Sequence, residues 1–192
     1  MATEAQSPPP EVYVSFSAEI NPNTAESLIA TMADLANKGV PKVTLCLSTP
    51  GGGVPKGITI YNTLRSMPFE LITHNVGNVD SIGNAVFLAG EKRYACAHST
   101  FMFHGVALPV AAGEQWTRTA LKERTEGLIA DEKRIGSIIR ERTKLKVADV
   151  DSLFTEAQTK DATYAVSAGI IDEIKDVQVP SGAPVLSLVF QR

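Results

Sequence analysis

The feature that most constrains the fold is an alternation of strand and helix patterns along the first half of the chain. Residues 12–17, VYVSFS, alternate with period two, and residues 42–48, KVTLCLS, form a short apolar run, so both are predicted strands. Between them, NTAESLIATMADLANKG places its apolar residues on one helical face: Ala25, Leu28, Ile29, Met32, Leu35 and Ala36. Strands separated by helices at this spacing predict parallel pairing through crossover connections, and therefore an α/β fold.

The second half contains a long charged segment, from Glu114 to Leu145. Within it Leu121, Leu128 and Ile135 recur every seven residues, which predicts one long amphipathic helix. A helix of about 30 residues spans roughly 45 Å. Because this exceeds what the rest of a small domain can cover, we expect part of the apolar stripe to pack on another subunit. The alternative is a helix that lies along its own domain.

The length and net charge of the chain limit its number of domains and the partners it is expected to bind. The chain has 192 residues, 44% of them hydrophobic, and a net charge of −3. This suits a single domain over residues 11–192, preceded by a tail at residues 1–10 that lacks apolar periodicity and is predicted to be disordered. The charge implies no nucleic-acid partner. No apolar run approaches the roughly 18 residues needed to cross a bilayer, so we expect no membrane partner and a soluble, cytoplasmic protein.

The two cysteines do not resemble a metal site. Cys46 and Cys96 both lie in apolar, strand-like runs, and neither belongs to a paired CxxC or Cys/His spacing. We interpret both as core residues, because free cysteine is among the most buried residue types. The sequence therefore predicts no structural metal.

A turn of three consecutive glycines follows the second predicted strand, in STPGGGVPKG. Glycine tolerates positive φ and has no side chain, so such a turn can bring backbone amides close to a ligand. The spacing fits neither the phosphate loop GxxxxGK[ST] nor the dinucleotide turn GxGxxG, so no nucleotide cofactor is implied. An ordinary tight turn remains the alternative.

A second turn carries a serine, in HNVGNVDSIGNAVFLAG from His74 to Gly90. Ser81 stands where a strand passes into a predicted buried helix, at the sheet edge where ligands bind in open α/β folds. Serine is also a favoured N-cap residue, so a helix cap is the simpler interpretation of this segment alone. With the glycine turn, however, the chain could supply a nucleophile and two amides for an oxyanion, which is what acyl transfer by serine needs.

Acyl transfer also needs a base, and the chain has three histidines. His74 lies inside the predicted strand FELITHNV at residues 69–76, and His98 lies in a predicted turn. His104 ends the apolar strand TFMFH and precedes the uncharged loop GVALPVAAG, beside which an extended peptide could pair. His104 is therefore the candidate general base.

These motifs resemble a known family. STPGGGVPKGITIYNTL, followed by GNVDSIGNAVFLAGEKRYACAHSTFMFHGV, resembles the proteolytic subunit of the Clp protease, and AVSAGIIDEI resembles the end of that family's domain. The resemblance covers roughly residues 12 to 175. It implies the Clp protease and crotonase-like fold of repeated β-β-α units with a long handle helix, and it implies Ser81 as nucleophile, His104 as base, and the amides of Gly52 and Ile82 as the oxyanion hole.

Three departures from the family pattern stand out. Val79 and Asp80 replace two alanines, and we expect the Asp80 carboxylate to point away from the oxyanion or to alter specificity. The segment AGEKRYACAH is two residues shorter than the corresponding segment of the family. The family's triad aspartate aligns with Ala157, so the third member would have to be Glu156, which is the first candidate, or Asp161 or Asp151, or be absent. Asp161 more closely resembles the N-cap of the predicted helix in ATYAVSAG.

By the same resemblance, the partners would be polypeptide substrates, further copies of the chain in stacked rings, and an ATP-driven unfoldase. Three alternatives remain open at this point. One is a catalytically weak or inactive ring subunit, and the second is an acyl-CoA enzyme of the crotonase superfamily, which shares the fold. The third is a serine–lysine peptidase, for which Lys122 or Lys133 would have to reach the serine.

Overall fold

The computed structural model describes residues 8–190. Its eight strands are β1 (Val12–Ser17), β2 (Lys42–Thr49), β3 (Glu70–Asp80), β4 (Lys92–Ala95), β5 (Thr100–Met102), β6 (Thr159–Asp161), β7 (Glu173–Ile174) and β8 (Val185–Leu188). Its six helices are α1 (Pro22–Asn37), α2 (Val54–Arg65), α3 (Gly83–Phe87), α4 (Arg118–Arg142), α5 (Val147–Glu156) and α6 (Ala162–Ser167). Most of the predicted tail at residues 1–10 lies outside the described residues.

The strands form one sheet, with the order β6-β5-β3-β2-β1-β8, while β4 pairs with β3 and with β7. All pairs are parallel except β5 with β6, which confirms the predicted α/β class and the parallel pairing of the first strands. In β1 the residues of one face, Val12, Val14 and Phe16, are almost fully buried and share a hydrophobic core with the apolar stripe of α1. Alternation along the strand thus sets which face meets the helices.

β3 is longer than the predicted strand at residues 69–76 and changes partner along its length. Its first part pairs with β4, and its last three residues, from Asn78 to Asp80, pair with β5. The change follows a register shift: Leu47 of β2 faces Asn75, but Thr49 faces Val79. The glycine at position 77 therefore marks an irregularity within a continuing strand, and the strand delivers Ser81 next to β5.

The long helix is confirmed in place but is shorter than the predicted segment 114–145. Thr117 caps α4 by accepting a hydrogen bond from the amide of Ala120 (3.2 Å), so the residues before it form a loop. Only its carboxyl half is buried, at Ile135, Gly136, Ile138 and Ile139. Leu121 is 51% exposed and Ile129 45% exposed, so half of the apolar stripe lies uncovered by this chain.

The cysteines are not core residues, contrary to the sequence-based interpretation. Both Cys46 and Cys96 are half-buried. Cys46 lies between Leu45 and Leu47, which are fully buried on the helix-covered face, so its own side chain lies on the opposite, partly open face of the sheet. Burial still raises the pKa of the Cys46 thiol to about 11. Within residues 8–190, no helix is both long and apolar enough to cross a membrane.

Candidate active site

The glycine turn is fixed by hydrogen bonds to Ile20, which lies two residues before the start of α1. The amide of Ile20 donates to the carbonyl of Gly51, and the amide of Gly53 donates to the carbonyl of Ile20, both at 2.7 Å. The amide of Gly51 donates to the hydroxyl of Thr49 at 3.1 Å. The turn is therefore held on both sides, which leaves Gly52 between two anchored neighbours.

Gly52 has a backbone that only glycine accepts easily. Its φ is 141°, and a Cβ at this position would lie 2.3 Å from the carbonyl oxygen of Ile20. Gly52 is exposed, and its amide donates to no group among residues 8–190. A rigid, unpaired backbone donor at a surface turn is suited to binding an anionic or carbonyl oxygen.

Ser81 adopts a left-handed backbone conformation, with φ of 55°, one of two non-glycine residues with positive φ in the described chain. Its amide donates to the carbonyl of Met102 in β5 (2.9 Å), which fixes the turn to the next strand. It is not the cap of α3, contrary to the simpler interpretation, because the N-cap is Ile82 and no side chain caps this helix. Strained residues of this kind cluster at active sites.

The two turns contact each other, although they are separated by a helix and a strand. A Cβ on Gly51 would lie 2.7 Å from the Cβ of Ser81 and 3.4 Å from its hydroxyl oxygen. Gly51, with φ of 87°, is thus the residue that allows the glycine turn to pack directly against the serine. The fold places the Ser81 hydroxyl beside a turn whose Gly52 amide is unpaired within residues 8–190.

The amide of Ile82 is the second donor expected at this place. The Ile82 side chain is fully buried and packs over Gly57 of α2, where a Cβ would lie 2.3 Å from its Cγ1. No group among residues 8–190 accepts a hydrogen bond from this amide. The buried side chain therefore anchors a backbone donor that stays free next to Ser81.

Asn84 was missed by the sequence analysis. Its side-chain amide donates to the carbonyls of Ser81 (3.0 Å) and Met102 (2.8 Å), so it ties the serine turn to β5. Asn84 is buried among apolar residues of α3. The signal was visible in the sequence, because a polar amide inside the apolar run SIGNAVFLAG needs hydrogen-bond partners.

His104 lies two residues beyond Met102, whose carbonyl accepts the Ser81 amide. The backbone on either side of it is fixed, since the amide of Phe103 donates to the carbonyl of Gln158 (2.9 Å) and that of Gly105 to the carbonyl of Phe154 (3.0 Å). His104 is half-buried, and its imidazole makes no hydrogen bond within the described part of the chain. The fold brings its backbone to the serine turn without a side-chain hydrogen bond between the two.

The other two histidines have ordinary environments. His74 is 3% exposed, and its Nε2 donates to the carbonyl of Lys175 at 2.8 Å. Burial lowers the pKa of His74, which favours the neutral ring. His98 is exposed in a turn. His74 is thus a satisfied buried residue, and neither lies in the serine turn.

None of the three proposed substitutes for the missing aspartate forms a hydrogen bond or an ion pair with His104 within residues 8–190. Glu156 is exposed and bonds to Ser152 and Gln158. Asp161 caps α6 through the amide of Tyr164 (2.8 Å), as predicted, and Asp151 is exposed on α5. Ala157 itself ends α5 with φ of 50°, so a left-handed residue occupies the position.

Asp80 precedes the serine and has its carboxylate engaged. The side-chain amide of Asn78 donates to it at 2.6 Å and also to the carbonyl of Thr49 at 3.2 Å. Asn78 in turn accepts from the hydroxyl of Ser48 at 3.1 Å. This network crosses the gap opened by the register shift between β2 and β3, which gives the Asp80 carboxylate a polar partner beside the turn.

Comparison with known proteins gives the family of the chain and its fold. The model of the Clp protease family matches residues 10–178. Among solved structures, this chain is similar to an asparagine-to-aspartate mutant of ClpP1 from Listeria monocytogenes, with a TM-score of 0.77 and 22% sequence identity, over 86% of this chain and 92% of that one. At this identity the structural likeness supports the fold, while the family match covers most of the sequence. The chain belongs to the Clp protease family.

Proposed function

We propose that this protein is a serine peptidase in which Ser81 is the nucleophile and His104 the general base. The observation that carries the proposal is the contact between the two turns. A serine in a left-handed conformation packs against Gly51, and within residues 8–190 the amides of Gly52 and Ile82, which adjoin Gly51 and Ser81 in the chain, are unpaired. Family membership supports the same assignment. A hydroxyl that caps no helix is free to react.

The chemistry would run as follows in this site. The Ser81 hydroxyl oxygen attacks the peptide carbonyl carbon while the His104 imidazole takes the hydroxyl proton. The amides of Gly52 and Ile82 donate hydrogen bonds to the oxyanion of the tetrahedral intermediate. The imidazolium then gives its proton to the leaving amine, and a water molecule hydrolyses the acyl-serine ester by the same steps.

The natural substrates of this site would be extended polypeptides, unfolded or short. The segment after His104 carries no charge between Gly105 and Gly113, and an extended chain could pair with its backbone and with the glycine turn. We propose that copies of the chain assemble into stacked rings, with the uncovered amino half of α4 packing between rings. An ATP-driven unfoldase is the partner proposed for larger substrates, in a cytoplasmic setting.

A catalytically weak or inactive ring subunit is the second candidate. The observation that favours it is that no carboxylate contacts the His104 imidazole within residues 8–190. An aspartate in that role holds the tautomer of the imidazole and stabilises its charged form, and its loss costs about 10⁴-fold in kcat in a well-studied serine peptidase. Activity without it would depend on other groups that orient the histidine.

A fluorophosphonate probe distinguishes these functions, since it reacts with an activated serine. We expect labelling of the wild-type protein at Ser81, located by peptide mass spectrometry, and no labelling of Ser81→Ala. His104→Ala should label far more slowly, whereas His98→Ala, a matched change at an exposed histidine, should label like the wild type. Labelling that persists in both Ser81→Ala and His104→Ala refutes the assignment. A wild-type protein that stays unlabelled favours the inactive subunit.

A further inference from the structure

A carboxylate from the long helix holds the backbone beside His104. Oε1 of Glu132 accepts a hydrogen bond from the amide of Val106 at 3.0 Å. Glu132 is half-buried on α4 and lies one turn before Ile135, where the buried part of that helix begins. A hydrogen bond to a carboxylate is stronger than one between two neutral groups.

Gly105 is shaped to this carboxylate. A Cβ at position 105 would lie 2.8 Å from Oε1 of Glu132, so any other residue there would push the carboxylate aside. The backbone of Gly105 is unremarkable in φ, and its amide is already bonded to the carbonyl of Phe154. Space for the glutamate, rather than backbone conformation, therefore explains why a glycine at this position suits the structure.

His104 is consequently held by three separate anchors. The amides of Phe103 and Gly105 bond to backbone carbonyls in and after α5, and the amide of Val106 bonds to the side chain of Glu132 on α4. The first two bonds attach the segment only to α5 and the residues just after it. Glu132 supplies the sole side-chain anchor found for this segment within residues 8–190, and it comes from a different helix.

We propose that Glu132 is a positioning residue for His104, an inference that rests on the proposed peptidase function. The imidazole has no carboxylate partner of its own in the described chain, so its placement relative to Ser81 depends on the backbone that carries it. Releasing Val106 would loosen that backbone on the α4 side. Misplacement of a catalytic group by about 1 Å can cost about 100-fold in rate.

The test compares three variants in the full-length protein. Glu132→Ala removes the acceptor, and we expect the kcat for a fluorogenic peptide and the labelling rate of Ser81 to fall about 10- to 100-fold, with KM little changed. Glu132→Gln keeps a side-chain oxygen that can accept the same bond, so it should retain activity within about threefold. Glu141→Ala, which removes an exposed glutamate bonded to Ser137 in the carboxyl half of the same helix, is the matched control and should match the wild type.

Two further measurements keep the proposal falsifiable. Gly105→Ala should lower kcat and the Ser81 labelling rate as much as Glu132→Ala does, because the new Cβ displaces the carboxylate. This variant replaces Glu132→Ala as the test if Glu132→Ala does not fold. Hydrogen exchange at Val106 should quicken in Glu132→Ala and Gly105→Ala but not in Glu132→Gln. Wild-type activity in Glu132→Ala, equal loss in Glu132→Gln, or unchanged exchange at Val106 would each overturn the role of Glu132. An inactive wild type would instead reject the peptidase function, and exchange would still decide whether Glu132 holds the segment.

Discussion

Replacing Ser81 by glycine should stabilise the protein while abolishing its reaction with the probe. Ser81 has φ of 55°, a conformation that costs a residue with a Cβ about 1–2 kcal/mol. Glycine removes this cost but gives the unfolded chain extra freedom, which takes back roughly 0.4–1 kcal/mol. The hydroxyl makes no hydrogen bond within residues 8–190 that would be lost. The free energy of unfolding of Ser81→Gly should therefore exceed, by about 0.5–1 kcal/mol, that of a variant that lacks the hydroxyl but keeps the Cβ and its strained conformation.

Ser81→Ala is that variant, because it removes the hydroxyl and retains the Cβ. With a urea m-value of about 2 kcal/mol/M, Ser81→Gly should unfold at a urea concentration roughly 0.3–0.5 M higher than Ser81→Ala. Ala157→Gly offers an internal control, since exposed Ala157 has the same kind of conformation with φ of 50° and lies outside the reacting groups. It should gain stability relative to the wild type and keep its labelling.

Equilibrium unfolding in urea, followed by circular dichroism, measures these differences. A midpoint for Ser81→Gly at or below that of Ser81→Ala would contradict the strain assigned to the serine turn. If Ala157→Gly behaves as expected and Ser81→Gly does not, the left-handed conformation at Ser81 is refuted specifically.

Three other outcomes follow from the structure. Gly52→Ala should lose on the order of 3 kcal/mol or more in unfolding free energy, because its Cβ would lie 2.3 Å from a carbonyl oxygen. Gly39→Ala should lose about 1 kcal/mol or less, because Gly39 has φ of 70° but open space around it. Similar urea midpoints for the two variants would contradict this difference. Ala157→Asp should fold, since aspartate tolerates the left-handed conformation at this position. If the new carboxylate reaches His104, it should orient the imidazole and raise the Ser81 labelling rate at least about tenfold. An unchanged rate would argue against that geometry. Cys46 should react with iodoacetamide at pH 8 at least about tenfold more slowly than free cysteine, because its pKa of about 11 leaves little of the thiolate form. The alkylation rate, followed by mass spectrometry, should rise steadily up to pH 10. Rapid alkylation at pH 8 would refute the raised pKa.

The local patterns of the sequence predicted much of the fold. The period-two run at residues 12–17 is β1 with the predicted bounds, and the apolar stripe from Ala25 to Ala36 is the core-facing side of α1. Such patterns are local, because burial on one face imposes the spacing of apolar residues within a single strand or helix. The predicted N-cap at Asp161 is confirmed for the same reason, since a cap involves residues only three apart.

The candidate site was predicted by residue type, and its arrangement was decided by the tertiary structure. The motifs pointed to a reactive serine turn, yet the sequence alone also allowed Ser81 to be a helix cap. The end of β3, beyond its register shift against β2, pairs with β5 and places that turn there, and this depends on pairing between strands far apart in the chain. The same holds for the carboxylates. Nothing local separates Glu156, Asp151 and Glu132, and only packing decides that Glu156 bonds to Ser152 while Glu132 bonds to the amide of Val106.

The sequence by itself therefore determined the elements, their order and the residue types at the two turns, because each of these follows from interactions among near neighbours. The tertiary structure alone decided that Gly51 lies against Ser81, that the amides of Gly52 and Ile82 are unpaired within the described residues, and that the His104 segment is anchored from α4. Contacts of this kind depend on strand register and on the packing of whole helices, and a shift of one residue in either would separate the same side chains.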